Sequence, residues 1–293
     1  MPKVSVIIPS FNRPNLLPRA LASVVAQTFK DFDVVIINDG GCWPDASIST
    51  YYGSRVKTLH QLRGGPASAR NKGLTATDSE FVAYLDDDDE WHPNHLETLL
   101  GVLELNSTLE MTYGIADVVD KNIHVRRWGD CQFDKFILDS FHTIFPMSTC
   151  MHRRKLLSNS GVFDENPLLI GPEDCEFTIR TSDLSHPAPS RRCTVTMHRD
   201  HSMTKESRKG WVDVLEYVIQ KHEYGEHRRN WLMFYRAWVA ALQEGRTDLA
   251  MKWSYELDRQ LPSNLKRVEM KINGEIQLLP DGIKAFCRRA LEV

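Results

Sequence analysis

Short β-branched runs alternate with segments of helical apolar spacing at the start of the chain. VSVII at residues 4–8 is stopped by Pro9, residues 15–29 repeat apolar positions every three or four residues, and FDVVII at 32–37 forms a second run. Short apolar runs that end at turn residues are typical of buried strands, whereas the longer spacing is typical of a helix. Strands of this kind joined by a helix predict a parallel sheet with both faces covered.

The remaining pattern predicts further elements over most of the chain. Up to residue 110 we expect a helix at 46–54, a strand at 56–60, a helix from Pro66, a strand at 80–85 and a helix from Pro93 to 106. Between residues 111 and 204 we expect strands at 111–120 and 124–129, a strand and a helix within 145–161, and a short helix at 172–183. From about residue 205 onward, amphipathic helices are expected at 211–225, 228–245 and 248–262.

These elements divide the sequence into two predicted regions. Residues 1–204 form an α/β domain, in which the pattern changes from parallel strand–helix units to a mixed sheet near residue 111. Residues 205–293 form a helical C-terminal region. Its aromatic residues recur at helical spacing, which favours a packed core or a helix–helix interface over a sugar-stacking platform. An interface of this kind would form a homodimer.

Composition narrows the class of protein. The chain has 293 residues, 42% of them hydrophobic and 26% charged, with a net charge of −3 and a pI near 6.4. These values are ordinary for a globular protein and provide no overall positive charge for nucleic acid. The six cysteines contain no C-x-x-C pair, and no apolar stretch approaches the roughly 18 residues of a membrane span. We therefore expect a soluble, cytoplasmic protein with reduced thiols, no nucleic-acid partner and no transmembrane segment.

Polar side chains follow three of the predicted strands at the point where each strand ends. Asn12 and Arg13 follow the first strand, Asp39 follows the second, and a run of acids follows the strand EFVAYL. In open α/β sheets, ligands bind beyond the carboxyl ends of the strands. We therefore expect these side chains to meet at one site.

The stretch FVAYLDDDDEWHP at residues 81–93 places five carboxylates after an apolar strand. Such a cluster stays ionised only with a compensating charge, and a divalent cation would provide one. Alternate residues of an extended chain share a face, so we expect Asp86 and Asp88 to face one Mg²⁺ or Mn²⁺ together. Asp89 and Glu90 are expected only to begin the next helix. The alternative interpretation is a solvated acidic turn that caps that helix.

Five motifs, in the same order, resemble those of family 2 glycosyltransferases with the GT-A fold. They are VSVIIPSFNR, VVIINDGG, GGPASARNKGL, FVAYLDDDDEWHP and GPEDCEFTIR, and they extend from residue 4 to about residue 180. The resemblance implies a Rossmann-like nucleotide-binding half at 1–110 with a mixed central sheet, and an acceptor half at 111–204. It also implies an inverting, metal-dependent transfer of a sugar from a nucleotide diphosphate-sugar, with UDP favoured, to an acceptor hydroxyl.

The implied context is the synthesis of a polysaccharide, a glycan or a glycosylated metabolite, and a lipid-linked acceptor would bring the protein to a membrane surface.

The resemblance also assigns the donor site residue by residue. Pro9 and Phe11, in the loop after the first strand, and Asp39, after the second, are implied to hold the nucleotide base and ribose. Arg70 of the ARN motif is implied to lie near the nucleotide.

The D-x-D element of the family corresponds to Asp86 and Asp88. Asp88 is implied to ligate Mn²⁺ or Mg²⁺ directly, and Asp86 to contact the metal and the donor diphosphate. Because four aspartates are adjacent, the register is open by one residue, and Asp87 is the rival for the donor contact. His198 or His201, in TMHRDHSMT, is implied as a further ligand of the metal or the diphosphate.

The ED pair in GPEDCEFTIR supplies the implied base. A hydroxyl that attacks the anomeric carbon has to lose its proton, which is a task for one positioned carboxylate. The resemblance assigns this role to Asp174 and leaves Glu173 either as an acceptor contact or as an acid that stabilises a helix start after Pro172. Direct displacement with one base predicts inversion at the anomeric carbon.

Two other classes of function are considered from the residues alone. A nucleotidyltransferase also needs an α/β nucleotide site and acid-bound Mg²⁺, but it usually has glycines in the loop after the first strand, and PSFNRPN has none. A non-catalytic sugar- or nucleotide-binding module is the other alternative. The intact acids and the intact ED pair argue against such a module.

Overall fold

The computed structural model describes residues 1–42, 55–120, 123–130, 132–198, 210–226 and 230–260. The helix expected at 46–54, His201 and the domain boundary expected between residues 204 and 205 therefore lie outside the described residues. Up to residue 110, strands and helices follow one another largely as the apolar pattern predicts. They are β1 (Val4–Ser10), α1 (Leu17–Val25), β2 (Phe32–Asn38), β3 (Val56–His60), α2 (Gly65–Thr75), β4 (Phe81–Tyr84), β5 (Asp89–Trp91) and α3 (His95–Leu105).

Beyond residue 110 the described residues add four strands and six helices. They are β6 (Met111–Asp120), β7 (Ile123–Trp128), α4 (Lys135–Asp139), β8 (Cys150–Arg153), α5 (Leu156–Ser160), α6 (Glu173–Ser182), β9 (Ala188–His198), α7 (Trp211–Lys221), α8 (Trp231–Gln243) and α9 (Thr247–Gln260). Short 3₁₀ turns occupy Met147–Thr149 and Pro167–Leu169. Strands β5 and β9 and helix α4 were not predicted from the sequence, because the two strands have no continuous apolar run and the five residues of α4 are too few for a helical repeat.

Nine strands of the described residues form one mixed sheet. Their order is β3–β2–β1–β4–β8–β6–β9–β5, with β7 beside β6. Strands β1 to β4 are parallel, whereas β8 runs antiparallel to both β4 and β6. Ser10 of β1 pairs with Asn38 of β2, and Ile7 of β1 pairs with Tyr84 of β4. The carboxyl ends of these three strands therefore lie along one edge of the sheet.

Successive residues of the parallel strands pack against helices on opposite faces of the sheet. Ile36 belongs to a buried cluster that includes α1 and α3, whereas the next residue, Ile37, packs with Ala69 of α2. Helix α2 lies so close to β1 that a Cβ atom at Gly73 would be 2.5 Å from Ile7 Cγ2. Both faces of the parallel part are covered, which confirms the prediction from its apolar strands.

The chain separates into two compact units, Met1–Lys135 with Thr143–Thr204, and Phe136–His142 with Lys205–Val293. Within the second unit, Asn230 Nδ2 donates to the Phe136 carbonyl oxygen (2.7 Å) and Arg236 Nη1 donates to the Ser140 carbonyl oxygen (2.7 Å). These bonds hold the short segment against α8. Of the helices in the described ranges, none combines the length and the apolarity that a membrane span requires.

Candidate active site

Polar groups from three strand ends meet along the edge at which β1, β2 and β4 stop. The Asp39 N–H, directly after β2, donates to the Ser10 carbonyl oxygen at the end of β1 (2.8 Å). The Ser10 hydroxyl donates in turn to Asp87 Oδ2 (2.7 Å), three residues beyond β4. The three strand ends that were expected to meet are therefore adjacent, as the parallel arrangement predicts.

The Asp39 carboxylate organises the glycine-rich loop ahead of α2. Its Oδ1 accepts hydrogen bonds from Gly64 N (2.8 Å) and Gln61 Nε2 (2.7 Å), and its Oδ2 accepts one from Gly65 N (2.8 Å). Asp39 is only 4% exposed, and Gly65 has a φ of +87°, which favours glycine. A carboxylate offers about four acceptor positions, so these three bonds leave capacity for a ligand.

Phe11 and Arg63 form an exposed cation–π pair beside this loop. The Arg63 guanidinium carbon lies 4.3 Å from the centroid of the Phe11 ring. Phe11 is 36% exposed, whereas Pro9 is buried within β1 and pairs with Ile37. Of the two loop residues predicted to hold the nucleotide, Phe11 is thus the one whose side chain offers an exposed surface.

The four aspartates do not continue the extended geometry of β4. The Asp89 N–H donates to the Asp86 carbonyl oxygen (3.1 Å), so the run forms a turn. Asp86 and Asp88 bind different arginines, whereas Asp88 shares an arginine with the adjacent Asp87. The run therefore forms a turn instead of the extended chain assumed from the sequence, so the alternation of strand residues does not decide which acids face a common ion. We call residues 86–90 the acid turn.

One nitrogen of Arg13 bridges two carboxylates of the acid turn. Arg13 Nη1 lies 2.9 Å from Asp87 Oδ1 and 2.6 Å from Asp88 Oδ2. Burial raises the pKa of Asp87, and burial together with the charge of Asp86 raises the pKa of Asp88 to about 6 in spite of Arg13. The pKa of Asp88 stays raised although Arg13 lies beside it. The charge of this arginine therefore does not fully compensate the carboxylates, and a further positive charge at the turn would be favourable.

The last two acids of the turn have partners of their own. Asp89 is buried, and its Oδ2 accepts a hydrogen bond from the Ser148 hydroxyl (2.6 Å). Glu90 Oε1 lies 2.7 Å from His198 Nε2 and 3.1 Å from Arg19 Nε. The expectation that these acids only begin the next helix was wrong, because both belong to β5, which pairs with β9 before α3 begins.

Arg70 joins the acid turn to the ED pair. Its Nη2 lies 2.7 Å from Asp86 Oδ1, and its Nη1 lies 2.6 Å from Glu173 Oε1. The arginine side chain is 4% exposed, and its guanidinium carbon lies 5.4 Å from the Phe163 ring centroid. The second oxygen of Glu173 accepts a hydrogen bond from Gly171 N (2.8 Å). The side chains of Arg70 and Glu173 are buried and paired with each other. Because Arg70 also binds Asp86, it positions Asp86 and Glu173 relative to each other.

Asp174 lies beside Glu173 in the first turn of α6 and is half-buried. Its Oδ1 accepts a hydrogen bond from the Cys175 N–H (2.7 Å). Burial, followed by the charge of Glu173, raises the pKa of Asp174 to about 7, although Arg70 opposes this shift. A carboxyl group with a pKa near neutrality is suited to take up a proton during a reaction.

Some residues of this site were not predicted from the sequence. Arg63 directly precedes the glycine pair of the loop, and this local signal could have identified it. Ser148 is 59 positions away from Asp89, and no local pattern marks it. His198 was predicted, and it pairs with Glu90. Among the residues that the structure describes, no three His, Cys, Asp or Glu side chains are grouped so that they could hold a metal by themselves.

The fold and the site define an α/β protein with a ligand site at the carboxyl ends of its parallel strands. The family model described as Glycosyl transferase family 2 matches residues 5–160, which is more than half of the chain. The chain therefore belongs to glycosyl transferase family 2. This confirms the family predicted from the five motifs, although the ED pair lies beyond the matched residues.

Curated relatives share part of their length with this chain. Succinoglycan biosynthesis protein ExoW of Rhizobium meliloti is 45% identical over 103 residues, which are 33% of this chain and 32% of ExoW. The uncharacterized glycosyltransferase alr2836 of Nostoc sp. is 33% identical over 179 residues, which are 57% of this chain and 55% of that protein. This chain spans about half, or less, of the length of these relatives.

Solved structures of TarS from S. aureus resemble the chain over most of its length. TarS 1–349 has a TM-score of 0.61 at 17% identity, with 89% of this chain and 82% of TarS 1–349 covered. TarS 1–349 in complex with UDP-GlcNAc has a TM-score of 0.60 at 19% identity, with 92% and 76% covered. The likeness concerns the fold, and it confirms the predicted α/β GT-A fold with a helical C-terminal region.

Proposed function

We propose that this protein transfers a sugar from a UDP-sugar to an acceptor hydroxyl, with inversion at the anomeric carbon and with a divalent cation at the acid turn. The observation that carries the proposal is the pairing of buried Arg70 with both Asp86 and Glu173, beside Asp174 with its pKa of about 7. The UDP-GlcNAc complex of TarS supports UDP as the donor nucleotide. The name of ExoW supports a role in polysaccharide biosynthesis.

Asp174 is the proposed general base. Its carboxylate takes the proton of the acceptor hydroxyl while the oxygen attacks the anomeric carbon on the face opposite the diphosphate. Inversion follows from this single displacement. With a pKa of about 7, Asp174 is substantially ionised at neutral pH and can still hold the transferred proton.

The acid turn fits a cation that takes most of its ligands from water and phosphate. Mg²⁺ and Mn²⁺ commonly use one or two carboxylates alongside phosphate oxygens. The side chains of Asp86 and Asp88 are 35% and 16% exposed, whereas that of Asp87 is 5% exposed and bonded to Ser10 and Arg13. Asp88 and Asp86 are therefore the residues that would hold the ion. When bound, the ion offsets the negative charge that develops on the leaving diphosphate.

The nucleotide is proposed to bind between the first loop and the glycine-rich loop. The exposed ring of Phe11 supplies a stacking surface for the base, and the guanidinium of Arg63 lies against the same ring. Asp39 can accept a hydrogen bond from the base or the ribose, because its three protein bonds leave acceptor capacity.

Release of a nucleoside diphosphate tests the reaction class. Incubation of the protein with Mn²⁺, a panel of UDP-sugars and varied acceptor hydroxyls should release UDP and yield a product of inverted anomeric configuration. Release of pyrophosphate would instead indicate a nucleotidyltransferase. Donor binding without turnover of any acceptor would indicate a binding module, and a retained configuration would rule out direct displacement.

Two conservative variants separate the base from the metal site. Asp174→Asn should bind the donor like the wild type but lose about 10²–10⁴-fold in transfer rate, which is the usual contribution of a general base. Asp88→Asn should lose Mn²⁺-dependent donor binding. Glu80→Gln is the matched control, because the Glu80 side chain is 61% exposed and lies at the amino end of β4. Near wild-type transfer by Asp174→Asn would show that the base is misassigned.

A further inference from the structure

Within the described part of the chain, the Arg13 side chain forms hydrogen bonds only to the acid turn. Its Nη1 makes both bonds, to Asp87 and to Asp88, and its other nitrogens have no partner among the described residues. The Arg13 side chain is 30% exposed, so it is partly open to solvent. Leaving the turn would therefore break no other hydrogen bond of this side chain to the residues that the structure describes.

The other two arginines at the turn are held more firmly. Arg70 is 4% exposed and bonded to Glu173 as well as to Asp86, so its departure would leave two carboxylates without their partner. Arg19 donates to the carbonyl oxygen of Asp88 (2.7 Å), so it holds the backbone of the turn and not the Asp88 carboxylate. Among these three arginines, Arg13 is the cation that can be exchanged.

The shape of the turn does not depend on the bond between Arg13 and Asp88. Asp87 retains its bond from the Ser10 hydroxyl (2.7 Å) when Arg13 is removed. The backbone of Arg13 is fixed independently, since its carbonyl oxygen accepts hydrogen bonds from Leu16 N and Leu17 N where α1 begins. The side chain can therefore move while both the loop and the acid turn keep their positions.

We propose that Arg13 is a resident cation, which balances Asp88 while no divalent ion is bound and leaves this carboxylate when the ion and the donor bind. The inference rests on the proposed metal dependence of the enzyme. Exchange of one cation for another keeps the carboxylates compensated in both states. The released guanidinium can then bind the donor diphosphate, because arginine suits phosphate oxygens.

This exchange makes Arg13 a positioning residue that couples the metal to the nucleotide. In the wild type, Mn²⁺ has to displace Arg13, so its binding without nucleotide is weakened. UDP provides a new partner for the guanidinium and thereby strengthens Mn²⁺ binding, and by linkage Mn²⁺ strengthens UDP binding equally. Without the charge at residue 13, Mn²⁺ should bind more tightly alone and gain less from UDP.

Mn²⁺ titrations followed by electron paramagnetic resonance, with and without UDP, test the inference. Arg13→Gln should bind Mn²⁺ at least about ten-fold more tightly than the wild type without UDP, which corresponds to about 1.4 kcal/mol. The strengthening by UDP should shrink by a similar factor. Arg13→Lys is the matched control and should resemble the wild type, because one nitrogen makes both bonds and an ammonium group can replace it.

Arg13→Met is a second variant that retains the apolar stem, and its melting temperature gives an independent reading. Any loss of melting temperature in Arg13→Gln or Arg13→Met should be recovered by Mn²⁺ alone, because the ion replaces the missing charge. Failure of Mn²⁺ to recover it, or an unchanged or weaker Mn²⁺ affinity in Arg13→Gln, would overturn the inference. Metal dependence itself would stand if the wild type bound Mn²⁺ with UDP, and both ideas would fall if it bound none.

Discussion

Single side chains explain how five adjacent carboxylates coexist in the acid turn. Arg13 from the first loop, Arg19 from α1 and Arg70 from α2 reach the turn from three directions. Asp89 is instead buried against the hydroxyl of Ser148. The protein itself offsets much of the negative charge, so the proposed divalent ion would join a turn whose carboxylates already have partners.

The pH dependence of transfer should follow the ionisation of Asp174. The proposed base acts as a carboxylate, and the pKa of Asp174 is raised to about 7, so kcat/KM should rise as the pH increases through about 7 and level off above it. A pH–rate profile of the wild-type protein measures this limb, and the residual activity of Asp174→Asn should lack it. A wild-type profile that is flat between about pH 5.5 and 8.5 would contradict the role of Asp174.

Among the elements, α2 connects the two sides of the site. Its first residue, Gly65, binds Asp39, and Arg70 near its middle binds both the acid turn and α6. The next residue, Asn71, bonds to both the N–H and the carbonyl oxygen of Phe163 (2.9 Å each). The position of this one helix therefore sets the spacing between the acid turn and the ED pair.

Two glycine-to-alanine variants should change stability in opposite directions. A Cβ atom at Gly73 of α2 would lie 2.5 Å from Ile7 Cγ2, whereas a Cβ atom at Gly101 of α3 would meet nothing within 4 Å. Alanine is favoured over glycine in a helix by about 1 kcal/mol, so Gly101→Ala should raise the free energy of unfolding by up to that amount. Gly73→Ala should lower it by about 1–3 kcal/mol, because the added methyl group overpacks the contact with β1.

Urea unfolding of the two variants and the wild type measures both effects. A stabilised Gly73→Ala protein would mean that α2 can move away from β1 without cost. Such a result would also weaken the view that α2 fixes the spacing within the site. Gly101→Ala serves as the control, because it carries the same helix preference without the close approach.

The elements that were predicted and those that were missed differ in what stabilises them. Strands β1, β2 and β4 are apolar because helices cover both faces, and apolar periodicity reveals such strands directly. Strand β5 consists of DEW, and β9 contains the polar run PSRR. These two strands form by pairing with each other, and β9 also pairs with β6, so their existence depends on distant partners.

In the molecule as a whole, two sets of buried ionisable groups affect stability in opposite senses. Burial lowers the pKa of His95 to about 3 and that of His152 to about 4, whereas burial raises the pKa values of Asp88 and Asp174. Below a pH of about 6.5 the unfolded chain protonates histidines that the folded protein keeps neutral, so the histidines reduce stability as the pH falls. The carboxyl groups do the opposite, because the folded protein holds their protons more tightly.

A variant of His152 separates these contributions. The His152 imidazole lies on β8 and is hydrogen-bonded to the Tyr84 hydroxyl (2.9 Å). The free energy of unfolding of the wild type, minus that of His152→Gln, should fall by about 1.4 kcal/mol per pH unit as the pH drops from about 6.5 towards 4. Urea unfolding at pH 7, 6 and about 5 measures the difference. A difference that does not change with pH would show that this imidazole titrates alike in the folded and unfolded protein.

The sequence by itself determined the α/β class, the family and the three strand ends that form the site. It could do so because apolar periodicity specifies strands and helices locally, and parallel strands bring their carboxyl ends to one edge. Only the tertiary structure decided how the charges pair: the aspartates turn after β4, Arg13 bridges two of them, and Arg70 joins a third to Glu173. These contacts join residues as far as 75 and 103 positions apart, and no local pattern encodes such partners.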